Sequence, residues 1–176
     1  MPRLPGRPAH LARRFMGSLR PGGPDPAAEA ALLGRLSEAE ADLYRSLAGP
    51  DRRHAVASAA AAVRLLGEAA TDELIVASAL HDVGKLDAQL GTLGRAVASI
   101  AAGLLGPDRL ERLGERSPWT RRWWLYANHA ALGAERLAAI GCAEPVVAWA
   151  RDHHRSPSAS SLGADVARAL VAADDR

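Results

Sequence analysis

A histidine followed directly by an aspartate, His81-Asp82, constrains this sequence more than any other feature. The pair comes at the end of an apolar run, residues 74–80, which read Leu-Ile-Val-Ala-Ser-Ala-Leu. An imidazole and a carboxylate therefore lie where a helix is expected to be buried against other helices. Buried charge requires a partner. Histidine nitrogen and aspartate oxygen together suit Zn, Mn or Fe, so the pair indicates a divalent metal ion.

Two residues after the pair extend this prediction. Gly84 fits the left-handed residue that ends a helix, which would leave Asp82 in the last turn and Lys85 on the exit loop. Lys85 is the one lysine among 22 Lys and Arg residues. A compact ammonium beside a metal pair is suited to contact a phosphate, so Lys85 is a candidate catalytic and substrate-binding residue.

Further candidate ligands are distributed along the chain. It contains six histidines, and five of them lie in or beside predicted helices. Asp51 is expected to cap the helix that carries the first of them. Several helices can direct such side chains at one point. The candidate metal ligands are His54, His81, Asp82, His129, His153, His154 and Asp174, whereas His10 stands outside any motif and is expected at the surface.

In this order the motifs resemble the HD-domain superfamily of metal-dependent phosphohydrolases. The resemblance covers about residues 51–176 and is closest to the HD-GYP branch, which hydrolyses cyclic di-GMP. That branch has a Gly-Tyr-Pro motif soon after its histidine pair, but residues 155–162 read Arg-Ser-Pro-Ser-Ala-Ser-Ser-Leu. The resemblance therefore implies the metal ligands more strongly than a cyclic-dinucleotide substrate. The matching motifs are His54, His81-Asp82-Val83-Gly84-Lys85, Asn128-His129 with Glu135, Asp152-His153-His154 and Asp174.

The number of candidate ligands favours two divalent ions, Fe, Mn or Zn, as cofactors, whereas the resemblance also includes single-metal enzymes that use only the first of the two ligand sets, so one or two ions remain open. One is assigned to His54, His81, Asp82 and Asp174, and the other to His129, His153 and His154 with Asp82 as a bridge. Adjacent residues of a regular helix point about 100° apart, so His153 and His154 can both bind only at a helix end or across two metals. Two cations about 3.5 to 4 Å apart would lower the pKa of a shared water from about 15.7 toward 7, and the hydroxide would attack phosphorus in line.

The expected function is a cytoplasmic phosphohydrolase that acts on a phosphomonoester or phosphodiester of a small substrate, with a nucleotide favoured. No stable complex with nucleic acid is expected. Two alternatives remain open: an HD-type di-iron oxygenase, and a non-catalytic HD scaffold that binds a nucleotide. Ligand types alone do not separate hydrolysis from oxygen chemistry. The oligomeric state is also open.

Composition predicts the fold class. A chain of 176 residues can bury the core of one domain, and 48% hydrophobic with only 4% aromatic residues favours helices over packed strands. The single Cys142 excludes an internal disulfide, is compatible with a reducing compartment and is expected to be a small apolar filler. We therefore predict an all-α chain, with an HD-domain helical bundle at 51–176 and an N-terminal extension of brace helices at 25–50.

Residues 1–24 form a basic, Pro/Gly-rich segment with five arginines and no acidic residue. Such a segment can contact anionic lipid or nucleic acid. The alternative, which we favour, is a solvated leader with a short helix over residues 10–19 that docks on the domain.

Three later segments leave choices open. Residues 90–105 are apolar but short and interrupted by Arg95, which predicts a buried helix and no membrane span.

Residues 118–124 contain three of the four tryptophans together with Arg121 and Arg122. For these tryptophans, core packing is favoured over stacking on a base. One of Arg121 and Arg122 is the candidate phosphate ligand. Residues 156–161 are expected to form a flexible polar loop over the site.

Overall fold

The computed structural model describes residues 23–175, so the predicted helix over 10–19 and His10 lie outside the described residues. Every regular element within 23–175 is helical, which confirms the all-α prediction. Two of these elements are short 3-10 turns, Gly67–Ala69 and Pro157–Ala159. The α-helices, numbered in chain order, are α1 Pro26–Leu33, α2 Glu38–Arg45, α3 Gly49–Leu66, α4 Asp72–Leu80, α5 Lys85–Ala88, α6 Thr92–Leu105, α7 Pro107–Arg116, α8 Pro118–Ala127, α9 His129–Ala139, α10 Glu144–Asp152 and α11 Ala164–Asp174.

The first two helices brace the rest of the molecule. The Asp25 side chain caps α1, and Ser37 with Glu40 forms a capping box at α2. Leu32 and Tyr44 are buried in the same apolar core as the later helices. The extension therefore shares the main core and does not form a separate unit.

The body of the molecule consists of α3, α4, α9, α10 and α11. Helix α3 packs against α4 and α11, α4 packs against α10, and α10 packs against α9. Many of the buried residues are alanines, which let the helix axes approach closely. Leu80, Trp149 and Leu170 are among the largest side chains that fill the remaining space. The ends of these helices meet on one side of the core, where the candidate ligands lie.

The start of α3 differs from the prediction. The helix begins at Gly49 with Ala48 as its N-cap, so Asp51 is not the cap but lies in the first turn. Pro50 explains the earlier start, because proline lacks an amide hydrogen and fits the first turn of a helix. The Asp51 carboxylate instead accepts two bonds from Arg95, at 2.5 and 2.7 Å.

Helices α6, α7 and α8, residues 92–127, form what we call the outer layer. They pack on one another and, through α8, on α5. Their small core contains Ala88, Leu90 and Ala98, with Trp123 and Tyr126 packed against it. The Arg95–Asp51 ion pair fastens the layer to the body.

One prediction about this layer is wrong and another holds only in part. Helix α6 is not a buried helix, because Ala98 is its single buried residue. Core packing holds for Trp123, which packs against the small core, but not for Trp119, which is 69% exposed. Periodicity could not reveal this, because α6 is apolar on its outward face as well.

Within residues 23–175 no single helix has the length and apolar character needed to cross a membrane. The bent pair formed by Asp72–Ala88 and Thr92–Leu105, which turns through 88°, passes the same test by length and composition.

Candidate metal centre

The structure brings all seven predicted ligands together at one end of the body. They come from α3, from the turn after α4, from the start of α9, from the turn after α10 and from the end of α11. His81, His129 and His153 are buried, His54, Asp82 and Asp174 are partly exposed, and His154 is exposed. The seven residues divide into two groups, and two sets of three within them are each compact enough to hold one metal ion: His54 with His81 and Asp82, and His129 with His153 and His154.

The first group contains His54, His81 and Asp174, together with one oxygen of Asp82. The Nε2 atom of His54 lies 2.9 Å from Oδ1 of Asp174 and 4.0 Å from Oδ2 of Asp82. The Nε2 atom of His81 lies 3.3 Å from the same Asp174 oxygen and 3.5 Å from the same Asp82 oxygen. Each of the two histidine nitrogens therefore faces an oxygen of Asp174 and an oxygen of Asp82.

The second group consists of the three remaining histidines. The Nε2 atom of His129 lies 3.3 Å from that of His153 and 3.1 Å from that of His154. The other oxygen of Asp82, Oδ1, lies 3.3 Å from Nε2 of His129 and 3.7 Å from Nε2 of His153. Asp82 thus presents Oδ2 to the first group and Oδ1 to the second, which is the arrangement of a bridging carboxylate.

Backbone contacts fix the orientation of three of the five imidazoles. The Nδ1 atoms of His81, His129 and His153 lie 2.9, 2.6 and 2.8 Å from the carbonyl oxygens three residues earlier in the chain. A carbonyl oxygen can only accept, so each Nδ1 carries the hydrogen and each Nε2 of a neutral ring carries a lone pair. This is the tautomer that binds a metal through Nε2.

The short contacts between Nε2 atoms therefore require a positive charge. When His129 and His153 are neutral, two nitrogen lone pairs face each other at 3.3 Å without a hydrogen between them. Two nitrogen ligands at about 2.0 to 2.1 Å from one tetrahedral cation lie about 3.3 Å apart. The spacing of the side chains fits a divalent metal ion, and the nitrogen-rich donor set suits Zn, Fe or Mn.

The electrostatics of the two groups differ. Burial alone would lower the pKa of His81, but the carboxylates of Asp82 and Asp174 raise it to about 9. Burial and the neighbouring His81 lower the pKa of His153 to about 2, and burial and His129 lower that of His154 to about 4. His81 therefore favours its charged form, whereas His153 and His154 stay neutral at neutral pH, which leaves their Nε2 lone pairs free to bind.

Gly84 has a different role from the one predicted. Its φ of −63° is right-handed, so the prediction of a left-handed helix end is wrong. A Cβ atom at Gly84 would lie 2.0 Å from the carbonyl oxygen of His129 and 2.7 Å from the amide nitrogen of Gly133. Glycine is needed here because the turn with His81 and Asp82 packs directly on the start of α9. This close approach places Asp82 beside His129.

Asp152 supports the histidine pair at the end of α10. Helix α10 ends at Asp152, so His153 and His154 lie in the following turn, and the expectation that they occupy a helix end is confirmed. The buried Asp152 carboxylate accepts hydrogen bonds from the amide and hydroxyl of Ser161, at 3.0 and 2.9 Å, and one from Arg155 at 3.1 Å. Residues 156–161, expected to be a flexible loop, are therefore tied at Ser161 and contain a 3-10 turn.

A cavity of about 410 Å³ opens over the ligands. Lys85 lies in its wall, and its ammonium donates to Oδ2 of Asp82. The short helix α5 begins at Lys85, so this residue is not on a loop. Opposite walls come from the outer layer, through Ser99 and Ala102 of α6 and Tyr126 of α8. Tyr126 was missed by the sequence analysis, since no motif distinguishes it from a core aromatic residue.

Arg121 and Arg122 are not among the residues that line this cavity. The Nε atom of Arg122 donates to the carbonyl oxygen of Ala88 at 2.8 Å, and the Arg121 guanidinium lies over the ring of Trp124, 4.6 Å from its centre. Their assignment as phosphate ligands stays a prediction, and the proposed function does not depend on it.

Comparisons of the chain with protein-family models, with curated proteins and with solved structures found no match.

Proposed function

We propose that this protein is a metal-dependent phosphohydrolase with a dinuclear, HD-type centre. One observation carries the proposal: the two oxygens of Asp82 face two different groups of histidines, three on one side and two on the other. Carboxylate-bridged pairs of cations serve many enzymes that cleave phosphate esters, because they hold both the attacking and the leaving oxygen. The order of the ligand motifs along the sequence supports the same class.

The roles of the ligands follow from their positions. His54, His81 and Asp174 would hold one cation with Oδ2 of Asp82, and His129, His153 and His154 would hold the other with Oδ1. When bound, two divalent cations supply Lewis acidity, which lowers the pKa of water toward neutrality and neutralises charge on a phosphoryl group. Backbone carbonyls hold three of the imidazoles in the binding tautomer before any cation arrives, so the site is preorganised.

Lys85 supplies the positive charge on the substrate side. Burial opposes its charged form, but the adjacent Asp82 raises its pKa, so it stays an ammonium at neutral pH. With Asp82 engaged by cations, Lys85 is the cationic side chain in the cavity wall that can donate to a phosphoryl oxygen. Its charge stabilises the additional negative charge that the phosphoryl group acquires in the transition state.

The outer layer provides the pocket for the rest of the substrate. Ser99, Ala102 and Tyr126 form a wall of small and aromatic side chains opposite the ligands. A cavity of about 410 Å³ lies within the range that holds a small molecule. A phosphorylated compound of nucleotide size, with its uncharged part against Tyr126, is the substrate class that we propose.

Metal content is the first test. Protein purified without oxygen or chelator should contain two equivalents of Mn, Zn or Fe per chain by elemental analysis. His129→Ala should lose about one equivalent, whereas His10→Ala, which changes the one histidine outside the motifs, should retain both. The loaded protein should release phosphate or an alcohol from members of a phosphomonoester and phosphodiester panel, and His129→Ala should not.

Two outcomes would contradict the proposal. Absence of metal in the purified and in the reconstituted protein would remove the dinuclear centre. Two iron ions with a new absorption band on exposure to air, and no hydrolysis of any ester in the panel, would assign the same ligands to oxygen chemistry.

A further inference from the structure

Helix α6 presents a stripe of large apolar side chains to solvent. Leu93, Val97, Ile100 and Leu104 are 72, 48, 63 and 79% exposed. At 100° per residue they fall within an arc of about 60°, and they extend along about 16 Å of the helix. We call these four residues the α6 stripe.

The orientation of α6 is opposite to that of an ordinary surface helix. Its one buried residue is the small Ala98, and Ala102 lines the cavity, so alanines face the protein while the large side chains face outward. A helix that only covered a core would place its leucines inward. A contiguous exposed apolar patch of this kind indicates a surface that binds something. Trp119, 69% exposed, adds an aromatic side chain to the same layer.

Charge is segregated between the outer layer and the remainder. Residues 92–127 contain six arginines and three acidic residues, a net charge of +3. The other described residues, 23–91 and 128–175, contain ten Lys and Arg residues against 17 acidic ones, a net charge of −7. The net charge of the outer layer is therefore positive and that of the other described residues is negative, and the outer layer also carries the α6 stripe.

Three of these arginines form a row on α7. Arg109, Arg112 and Arg116 are spaced three and four residues apart, which places them on one side of the helix, and all three are exposed. Within the part of the chain that the structure describes, none of the three has an ion-pair partner. Their charge is available to an external anionic surface.

We propose that the outer layer docks on an anionic lipid surface. The α6 stripe would enter the boundary between headgroups and acyl chains, Trp119 would lie in the headgroup region, and the arginines of α7 would contact lipid phosphates. Tryptophan is enriched at this depth because one end of its ring is apolar and the other binds water. Because Ala102 lines the cavity from the opposite side of α6, docking through the stripe would place this helix between the cavity and the membrane.

Charge distinguishes this partner from a second copy of the chain. Pairing two outer layers would place a net charge of +3 against an identical one, whereas a bilayer with anionic headgroups is complementary to it. The proposal goes beyond the proposed function and does not depend on metal binding or catalysis.

Flotation of the full-length chain with lipid vesicles tests the proposal. The chain should bind vesicles of phosphatidylcholine mixed with phosphatidylglycerol, bind phosphatidylcholine alone much less, and lose binding as salt increases. Ile100→Ser and Leu104→Ser should each lower the partition coefficient by about tenfold, because each removes a large apolar side chain that the bilayer would bury. Arg112→Ala and Arg116→Ala should each lower it by about fivefold.

Matched controls lie outside the outer layer. Val63→Ser removes an apolar side chain that is 40% exposed on α3, and Arg64→Ala removes an exposed arginine from the same helix. Both should bind vesicles like the native chain. Residues 1–22, with their five arginines, are present in every variant, so their contribution is the same throughout.

Three results would overturn the inference. The first is equal partitioning of the stripe variants and the native chain. The second is a native dimer in sedimentation velocity that Leu104→Ser converts to a monomer, which would assign the stripe to a second copy. The third is a melting temperature several degrees lower for Leu104→Ser without lipid, which would show that another part of the chain covers the stripe.

Discussion

Asp82 is the residue on which the candidate centre depends. Its two oxygens face different histidine groups, and Lys85 donates to one of them. Burial would raise the pKa of Asp82, but Lys85 and His81 hold it well below its usual range, so the carboxylate is ionised at neutral pH. Losing Asp82 should therefore affect both cations, whereas losing Lys85 should affect neither.

We predict different results for Asp82→Ala and Lys85→Ala. Asp82→Ala should lose both equivalents of metal and all hydrolysis. Lys85→Ala should retain the metal and lose about 10²-fold in rate, because one charge that stabilises the transition state is removed. Elemental analysis and the rate with the best substrate of the ester panel provide the two measurements. Equal metal content and unchanged turnover in both variants would contradict the assignment.

At the scale of single elements, the turn at residues 81–84 packs closely on the backbone of α9 beside the centre. The space for a Cβ atom at Gly84 is occupied by backbone atoms of α9, which cannot move like a flexible side chain. Helix α6 provides the opposite case, since a Cβ atom at Gly103 meets nothing within 4 Å.

Alanine at these two glycines should have effects of opposite sign. Gly84→Ala should lower the free energy of unfolding by about 3 kcal/mol, because it forces the turn away from α9. It should also weaken metal binding, since Asp82 moves with the turn. Gly103→Ala should raise the free energy of unfolding by about 0.5 to 1 kcal/mol, because alanine restricts the unfolded chain and favours helix. Urea denaturation measures both, and equal stability of the two variants would exclude the close approach as the reason for Gly84.

At the scale of the whole molecule, the centre joins helices that are distant in sequence. His54 on α3 and Asp174 on α11 are 120 residues apart in the sequence, but Nε2 of His54 lies 2.9 Å from Oδ1 of Asp174. A ligand that binds the folded chain and not the unfolded one stabilises the fold by mass action. A cation held by residues from distant parts of the chain should therefore stabilise the entire body.

Metal binding should raise the melting temperature. At a free metal concentration about 100 times the dissociation constant, the gain is about 2.7 kcal/mol, which corresponds to about 5 to 10 °C for a chain of this size. Protein stripped by chelator and then titrated with Mn²⁺ or Zn²⁺ in a thermal melt would show it. Asp82→Ala should show no increase, and an equal increase in that variant would indicate binding elsewhere.

The sequence by itself determined the helical class and the identity of the residues that meet at the centre. These features depend on local propensity or on residue types that are costly to bury without a partner, so they can be recognised from the sequence without a structure. The HD-type function remains a prediction, because it depends on the resemblance of the motifs and on proposed metals.

Only the tertiary structure decided how these parts fit together. The division of the Asp82 oxygens between two groups, the need for glycine at position 84 and the place of Tyr126 in the cavity wall all depend on residues far apart in the chain. The outward orientation of α6 was also invisible in the sequence, because an apolar helix gives the same pattern whether its leucines face a core or solvent. Contacts between distant segments set these features, and the spacing of residues along the chain does not record them.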